Sequence, residues 1–199
     1  MVAAAAADVG AAEPARGGRG NCSAELDSQY FDYYSSLANQ QTLLDDSVRT
    51  EAFCQAICGN GVDFKDKVVI DVGAGTGVLS FFAVRSVSSA RPQSQLPGRR
   101  SRVCHSRCRK LRCSVIRWVH GSGRAGAAKV FAIEASGMAR CCRALVAANG
   151  LEEKIVVIHG TVESVELPEG VEGVDVIISE PMGLMLFHEQ MIDSFLCAR

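Results

Sequence analysis

Four short apolar runs punctuate the chain, at 67–72 (Lys67-Val68-Val69-Ile70-Asp71-Val72), 129–134, 155–158 and 176–179 (Val176-Ile177-Ile178-Ser179). Each is too short for a helix and rich in β-branched side chains, the pattern of strands buried in a sheet. A helix-forming run follows the glycines after the first strand, and a second helix is predicted at 137–149, stopped at Asn149-Gly150. Strand and helix therefore alternate, and a parallel sheet follows. Further upstream, Tyr30, Phe31 and Tyr34 stand at spacings of one, three and four, which places them on one face of a helix.

The connections after the strands carry the polar groups. After 67–72 come three alternate glycines, Gly73, Gly75 and Gly77, then Val78-Leu79-Ser80. Such a turn lets backbone approach a nucleotide closely. The Gly-x-Gly-x-Gly spacing differs from the Gly-x-Gly-x-x-Gly of dinucleotide sites, where a pyrophosphate rests on a helix N-terminus. Asp71 beside the turn suits a nucleoside with a cationic centre, such as S-adenosylmethionine, better than a phosphate. The second strand ends in Glu134, where nucleotide-binding α/β folds place an acid that accepts hydrogen bonds from ribose hydroxyls. The fourth runs into Glu180-Pro181-Met182-Gly183 and, nine residues after Glu180, Glu189. Two acids bracketing an apolar loop at the carboxyl end of a strand fit a guanidinium, which is planar, permanently charged and forked. Met182 and Met185 read as core residues or as thioethers packed against an aromatic ring or a sulfonium.

Taken in order, Tyr30-Phe31-Asp32-Tyr33-Tyr34, Val48-Arg49-Thr50, Phe64-Lys65-Asp66-Lys67, Asp71-Val72-Gly73-Ala74-Gly75-Thr76-Gly77, Ala132-Ile133-Glu134-Ala135-Ser136 and Ser179-Glu180-Pro181-Met182-Gly183 resemble the protein arginine methyltransferase family. Pro181, Met185 and Phe81-Phe82-Ala83 are most similar to its coactivator-associated branch. The resemblance covers about residues 28–85 and 125–199. It implies a class I S-adenosylmethionine-dependent methyltransferase fold, Rossmann-like with a mostly parallel sheet. It also implies methyl transfer from S-adenosylmethionine to protein arginines, with asymmetric dimethylation of histone tails and RNA-binding proteins in nucleus and cytoplasm. Carried over position by position, Glu180 and Glu189 would bind the target arginine. Gln40, Arg49, Asp71, Gly73, Gly75, Gly77, Glu134, Glu163 and Ser194 would contact the cofactor, Arg49 through the methionyl carboxylate. Tyr30, Phe31 and Tyr34, with Met182, would close over the slot. The resemblance assigns residues 23–60 to helices covering the cofactor and 61–199 to the methyltransferase domain. Arginine stays protonated in water, so the site must both orient the cation and take up a proton. Close like charges raise one carboxylate pKa, which makes Glu189 the candidate acceptor and Glu180 the residue that fixes the guanidinium.

Three departures qualify the resemblance. Sixty-two residues separate Asp71 from Glu134, where about two dozen would cross one helix and begin the next strand. The surplus, 86–124, holds nine arginines, one lysine and no acids, so its +10 is set against −11 in the rest of the chain. That composition predicts disorder. It reads as translated non-coding sequence more than as a nucleic-acid-binding arm, and salt-sensitive binding lost on its deletion would reveal the arm. Cys104, Cys108, Cys113, His105 and His120 contain no Cys-x-x-Cys pair and so do not read as a zinc site. The second departure is the end at Arg199. On the family pattern the β-barrel with its dimerisation arm is then absent, and a non-catalytic fragment that binds cofactor or partners is the alternative reading. The third is Leu184 and Leu43, where the family usually carries Tyr and Met. Composition adds little against this. With 199 residues and 48 % hydrophobic content, one core is expected, and no run approaches the roughly 20 apolar residues of a membrane span. Residues 1–22 read as a flexible Ala/Gly-rich tail without the basic and apolar regions of a secretory signal. The nine cysteines show no disulfide framework and suggest a reducing compartment.

Overall fold

The computed structural model describes residues 22–85, 125–183, 189 and 191–199. Helices α1 (Cys22–Ser35), α2 (Leu37–Asp45), α3 (Ser47–Cys58) and α4 (Gly61–Phe64) precede strand β1 (Val68–Val72), which feeds helix α5 (Val78–Ala83). Strand β2 (Lys129–Glu134), helix α6 (Met138–Asn149), strands β3 (Ile155–His159) and β4 (Val176–Ser179), and helix α7 (Met191–Cys197) follow. Residues 1–21 of the tail expected at 1–22, the insertion at 86–124, and Leu184 and Met185 lie outside the described residues, while Cys22 already opens α1.

The strands form one sheet in the order β3-β2-β1-β4, every pair parallel. Ile70 sits opposite Phe131 on one side and Ile177 on the other, so the four apolar runs stack in register. Both faces of the sheet are covered. Val69, Val130 and Ala132 join a core with Phe64, Phe81, Phe82, Leu145 and Ile155. Ile70, Val72, Phe131 and Ile133 face the opposite way, against Val162, Ile177 and Met191. Alternate side chains of β1 thus serve different cores, which is why its run is continuously apolar rather than alternating. Helix α6 ends where expected. Gly150 takes φ +65°, and Leu151 N–H reaches back to Val146 C=O at 3.2 Å, the left-handed stop that glycine allows without strain.

From β1 the chain moves outward to β2 and β3, then returns to the other side of β1 as β4. That reversal makes the carboxyl ends of β1 and β4 the switch point where open α/β sheets take ligands. The chain leaves the described fold at Arg85 and re-enters at Ala125, and both are buried. Ala127 N–H donates to Ala83 C=O at 2.8 Å. The flanks of 86–124 are therefore joined directly.

Candidate functional site

The turn after β1 needs its glycines. Gly73, Gly75 and Gly77 have φ of +73°, +55° and +81°, a region that side chains enter at a cost. Space is short as well: a Cβ would stand 2.9 Å from Met191 Cε at Gly73, 3.2 Å from Gln40 Oε1 at Gly75 and 2.7 Å from Cys142 Sγ at Gly77. The turn is a bare-backbone cradle enclosed by α2, α6 and α7.

Asp71 lies beneath it, fully buried, with Oδ2 accepting from Ser80 N–H at 3.0 Å and Ser80 Oγ–H at 2.6 Å. It ties the strand to the first turns of α5 and has no exposed surface. Burial pushes its carboxyl up to about 7, against the opposing pull of the two Ser80 bonds. Glu134 at the end of β2 is also buried and clasps the turn from the other side. Its Oε2 accepts from Gly75 N–H at 2.6 Å and its Oε1 from Ser136 N–H at 2.7 Å. A carboxylate has about four lone-pair sites, so two remain for further donors.

Glu180, just after β4, pairs with Arg49 of α3, Nη2 to Oε2 at 2.8 Å, both side chains about three-quarters buried. Its Oε1 accepts from Met182 N–H at 3.2 Å. Glu189 is held from α1, by Tyr34 Oη–H to Oε1 at 2.8 Å and Tyr30 Oη–H to Oε2 at 3.1 Å. Burial first, and Glu189 after it, push both phenols above their ordinary range, so they remain donors at any working pH. The close approach of Glu189 also explains Gly183, whose Cβ would collide with the Glu189 side chain.

The aromatic face of α1 therefore does two things. Tyr30 and Tyr34 pack at 4.8 Å between ring centroids, with Phe31 edge-on to Tyr30 at 5.4 Å, while their hydroxyls reach the second acid. Gln40 is buried, its Nε2–H donating to Tyr34 C=O at 3.0 Å. Ser194 Oγ–H donates to Glu163 Oε1 at 2.6 Å, a bond that lowers the Glu163 pKa. The pair joins the segment after β3 to α7 at the surface, while Met182 is largely exposed. Sequence reasoning missed Ser35 and Met191. Ser35 Oγ accepts from Gly137 N–H at 2.8 Å and donates to Phe31 C=O at 2.7 Å, pinning the end of α1 to the loop after β2. Nothing in its sequence context marks it. Met191 follows Glu189 by two residues and covers Gly73.

No protein-family model matches the chain. Over 172 residues it is 45 % identical to histone-arginine methyltransferase CARMER of Drosophila erecta, and equally to the probable CARMER enzyme of Drosophila melanogaster, covering 86 % of this chain in each case. Its fold matches Arabidopsis thaliana protein arginine methyltransferase 10 with a TM-score of 0.62 and 37 % identity, over 85 % of this chain and 36 % of that one. The Trypanosoma brucei PRMT1 enzyme–prozyme heterotetramer, solved with AdoHcy, matches at 0.61 and 34 %, over 83 % and 39 %.

The chain belongs to the protein arginine methyltransferase family.

It has that family's class I, Rossmann-like methyltransferase architecture. It spans about a quarter of the length of the curated arginine methyltransferases it matches, 24 % of the CARMER chains.

Proposed function

We propose that this chain works as an S-adenosylmethionine-dependent protein arginine N-methyltransferase. The observation that carries the reading is the Arg49 guanidinium seated on Glu180 at 2.8 Å, since it is an example within the fold of the pairing a substrate arginine would make. A residue that receives one guanidinium at the carboxyl end of β4 has the charge and setting to receive another. Relatives support the rest. CARMER is named a histone-arginine methyltransferase, and solved neighbours carry AdoHcy or SAH.

The residues present fit the cofactor. The cradle at Gly73 and Gly75 leaves backbone where a Cβ would crowd Met191 and Gln40, and Glu134 keeps acceptor capacity beyond its two backbone bonds. In this assignment Glu134 takes the ribose hydroxyls, and Gly73, Gly75, Gly77 and Gln40 form the floor. Glu163, in the segment after β3, and Ser194 of α7 border it, Asp71 holds the turn from beneath, and Arg49 exchanges Glu180 for the methionyl carboxylate. When bound, S-adenosylmethionine supplies an electrophilic methyl group on a sulfonium. Glu180 and Glu189 grip the target guanidinium from two sides, and Glu189 accepts the proton that must leave as the nitrogen is alkylated. Tyr30 and Tyr34 orient Glu189, and with Phe31 and Met182 they close the slot. Helices α1 to α3 are its cover, and 61–199 is the methyltransferase domain. The finer reading is asymmetric dimethylation of histone tails and RNA-binding proteins, in nucleus and cytoplasm, as part of transcriptional regulation. It extends to self-association in a longer protein. Among the described residues no helix is long and apolar enough to cross a membrane.

Calorimetric titration of the chain with S-adenosylmethionine tests the cofactor half. Saturable one-to-one binding is expected. Glu134→Ala should weaken it by about ten- to a hundredfold, the loss of charge-assisted bonds worth roughly 1.5–3 kcal/mol. Absence of binding in the unaltered chain would overturn the reading.

A further inference from the structure

Helix α3 carries a second cluster that the methyl-transfer reading does not use. Cys54 and Cys58 stand one turn apart on one face, Sγ to Sγ at 4.0 Å. Arg85, buried where the chain leaves α5, directs Nη1–H at both sulfurs, 3.8 Å from each. Cys58 is buried and its Sγ also lies 3.7 Å from Phe82 C=O, while Cys54 is only partly buried. Two thiols and a buried guanidinium thus share one small volume, open to solvent on the Cys54 side.

We propose that Cys54 and Cys58, with Arg85 as counter-charge, form a two-thiolate site for a soft monovalent d10 metal ion of the Cu(I) class. Geometry separates this from two other uses of a cysteine pair. A disulfide needs Cβ atoms about 3.5–4.5 Å apart, whereas helix neighbours four residues apart hold theirs about 5–6 Å apart. Closing that bond would unwind the last turn of α3, which Gly59 N–H caps on Gln55 C=O at 2.8 Å. A bridging ion removes the conflict. With metal–sulfur bonds of about 2.3 Å, a linear S–metal–S unit spans about 4.6 Å, reached from 4.0 Å by a small side-chain adjustment. Zinc is disfavoured because a structural site takes four ligands. Among the described residues no group of three or more His, Cys, Asp or Glu side chains is placed to hold a metal. Thiolates select soft ions such as Cu(I). The charges also close: one Cu(I) displaces two thiol protons, leaving a bis-thiolate complex of charge −1 beside the +1 guanidinium.

The test is an anaerobic titration of the purified chain with Cu(I) against a chromophoric competitor, followed by maleimide labelling and peptide mapping. One tightly bound equivalent is expected to shield Cys54 and Cys58 together. Cys54→Ser should lose that equivalent, and because Cys54 is only partly buried this variant keeps the packing of Cys58. Arg85→Lys should retain it and Arg85→Gln weaken it, with circular dichroism confirming the fold in each. Absorption at the copper edge should report two sulfur ligands. The proposal fails if Cys54 labels at the same rate with and without one equivalent of Cu(I). It also fails if Cys54→Ser binds the same number of equivalents with the same affinity, or if mild peroxide converts the pair to a disulfide without loss of helix.

Discussion

Glu189→Gln is expected to lower methyl transfer to an arginine peptide by about a hundred- to ten-thousandfold, the range for removing a positioned proton acceptor. The substitution does two things at this site. It removes the negative charge that would balance the target guanidinium. It also replaces one of the two oxygens that receive Tyr30 and Tyr34 with an amide donor, so one phenol loses its partner. Glu180→Gln should fall in the same range for a different reason: its carboxylate would grip the target guanidinium through the kind of charge-assisted bond it makes with Arg49 at 2.8 Å, which an amide oxygen matches only weakly. Both variants should bind S-adenosylmethionine within about threefold of the parent, less than the roughly 1.4 kcal/mol of a tenfold change. Radiolabelled methyl transfer measured beside calorimetry separates the effects. Turnover unchanged in either variant would defeat the assignment of these acids to the reaction.

The second large effect is on stability and depends on pH. Asp71 is fully buried, with one oxygen on Ser80 and Oδ1 without a hydrogen-bond partner among the described residues. Its carboxyl is raised from 3.8 to about 7. Between those values the folded state keeps a proton that the unfolded chain has released. Stability therefore falls as pH rises through that window, and the loss is complete above about 7. The full span corresponds to roughly 4 kcal/mol as an upper bound. Asp71→Asn is neutral throughout, preserves an oxygen for Ser80 and places an amide N–H2 at the unpartnered position, at a cost of about 1–3 kcal/mol. The variant should melt below the parent at pH 4 and above it at pH 8, by about 2–4 °C for each kcal/mol in a chain of this size. Melting curves that stay a constant distance apart across that range would sink the prediction.

How much of this was readable beforehand follows from which constraints are local. The strands were, because a parallel sheet covered on both faces demands unbroken β-branched runs, and Val176–Ser179 coincides with β4 as observed. The end of α6 was, because Gly150 alone could take the left-handed stop. The alternate glycines announced a backbone cradle, since positive φ and close neighbours leave no room for side chains. Pairings across the chain were not readable. Arg49 and Glu180 are 131 residues apart and Tyr34 and Glu189 are 155 apart, and no periodicity links such positions. Arg49 was expected to address a cofactor carboxylate, and it sits on Glu180. Asp71 was read as facing a ligand because it adjoins the glycines. Its orientation follows instead from the pleat, which places it on the same face as Val69, toward α5. The Cys54–Cys58–Arg85 cluster was equally hidden, because cysteine on a helix face looks like any small apolar residue.

The hydrogen bond between Ala83 and Ala127 has a bearing on what this fold tolerates. Together with the bonds from Asp66 N–H to Gly126 C=O and from Ala128 N–H to Lys67 C=O, it closes the first crossover of the sheet, so the 86–124 stretch begins and ends at a junction that the core already holds shut. Lengthening a loop whose ends are fixed costs only about 0.6 kcal/mol per doubling. The junction lies beyond α5, at the end of that helix away from the glycine turn and the acids. It is therefore a point where the domain can carry foreign sequence, a tag, a reporter or a second module, with the ligand cradle left undisturbed.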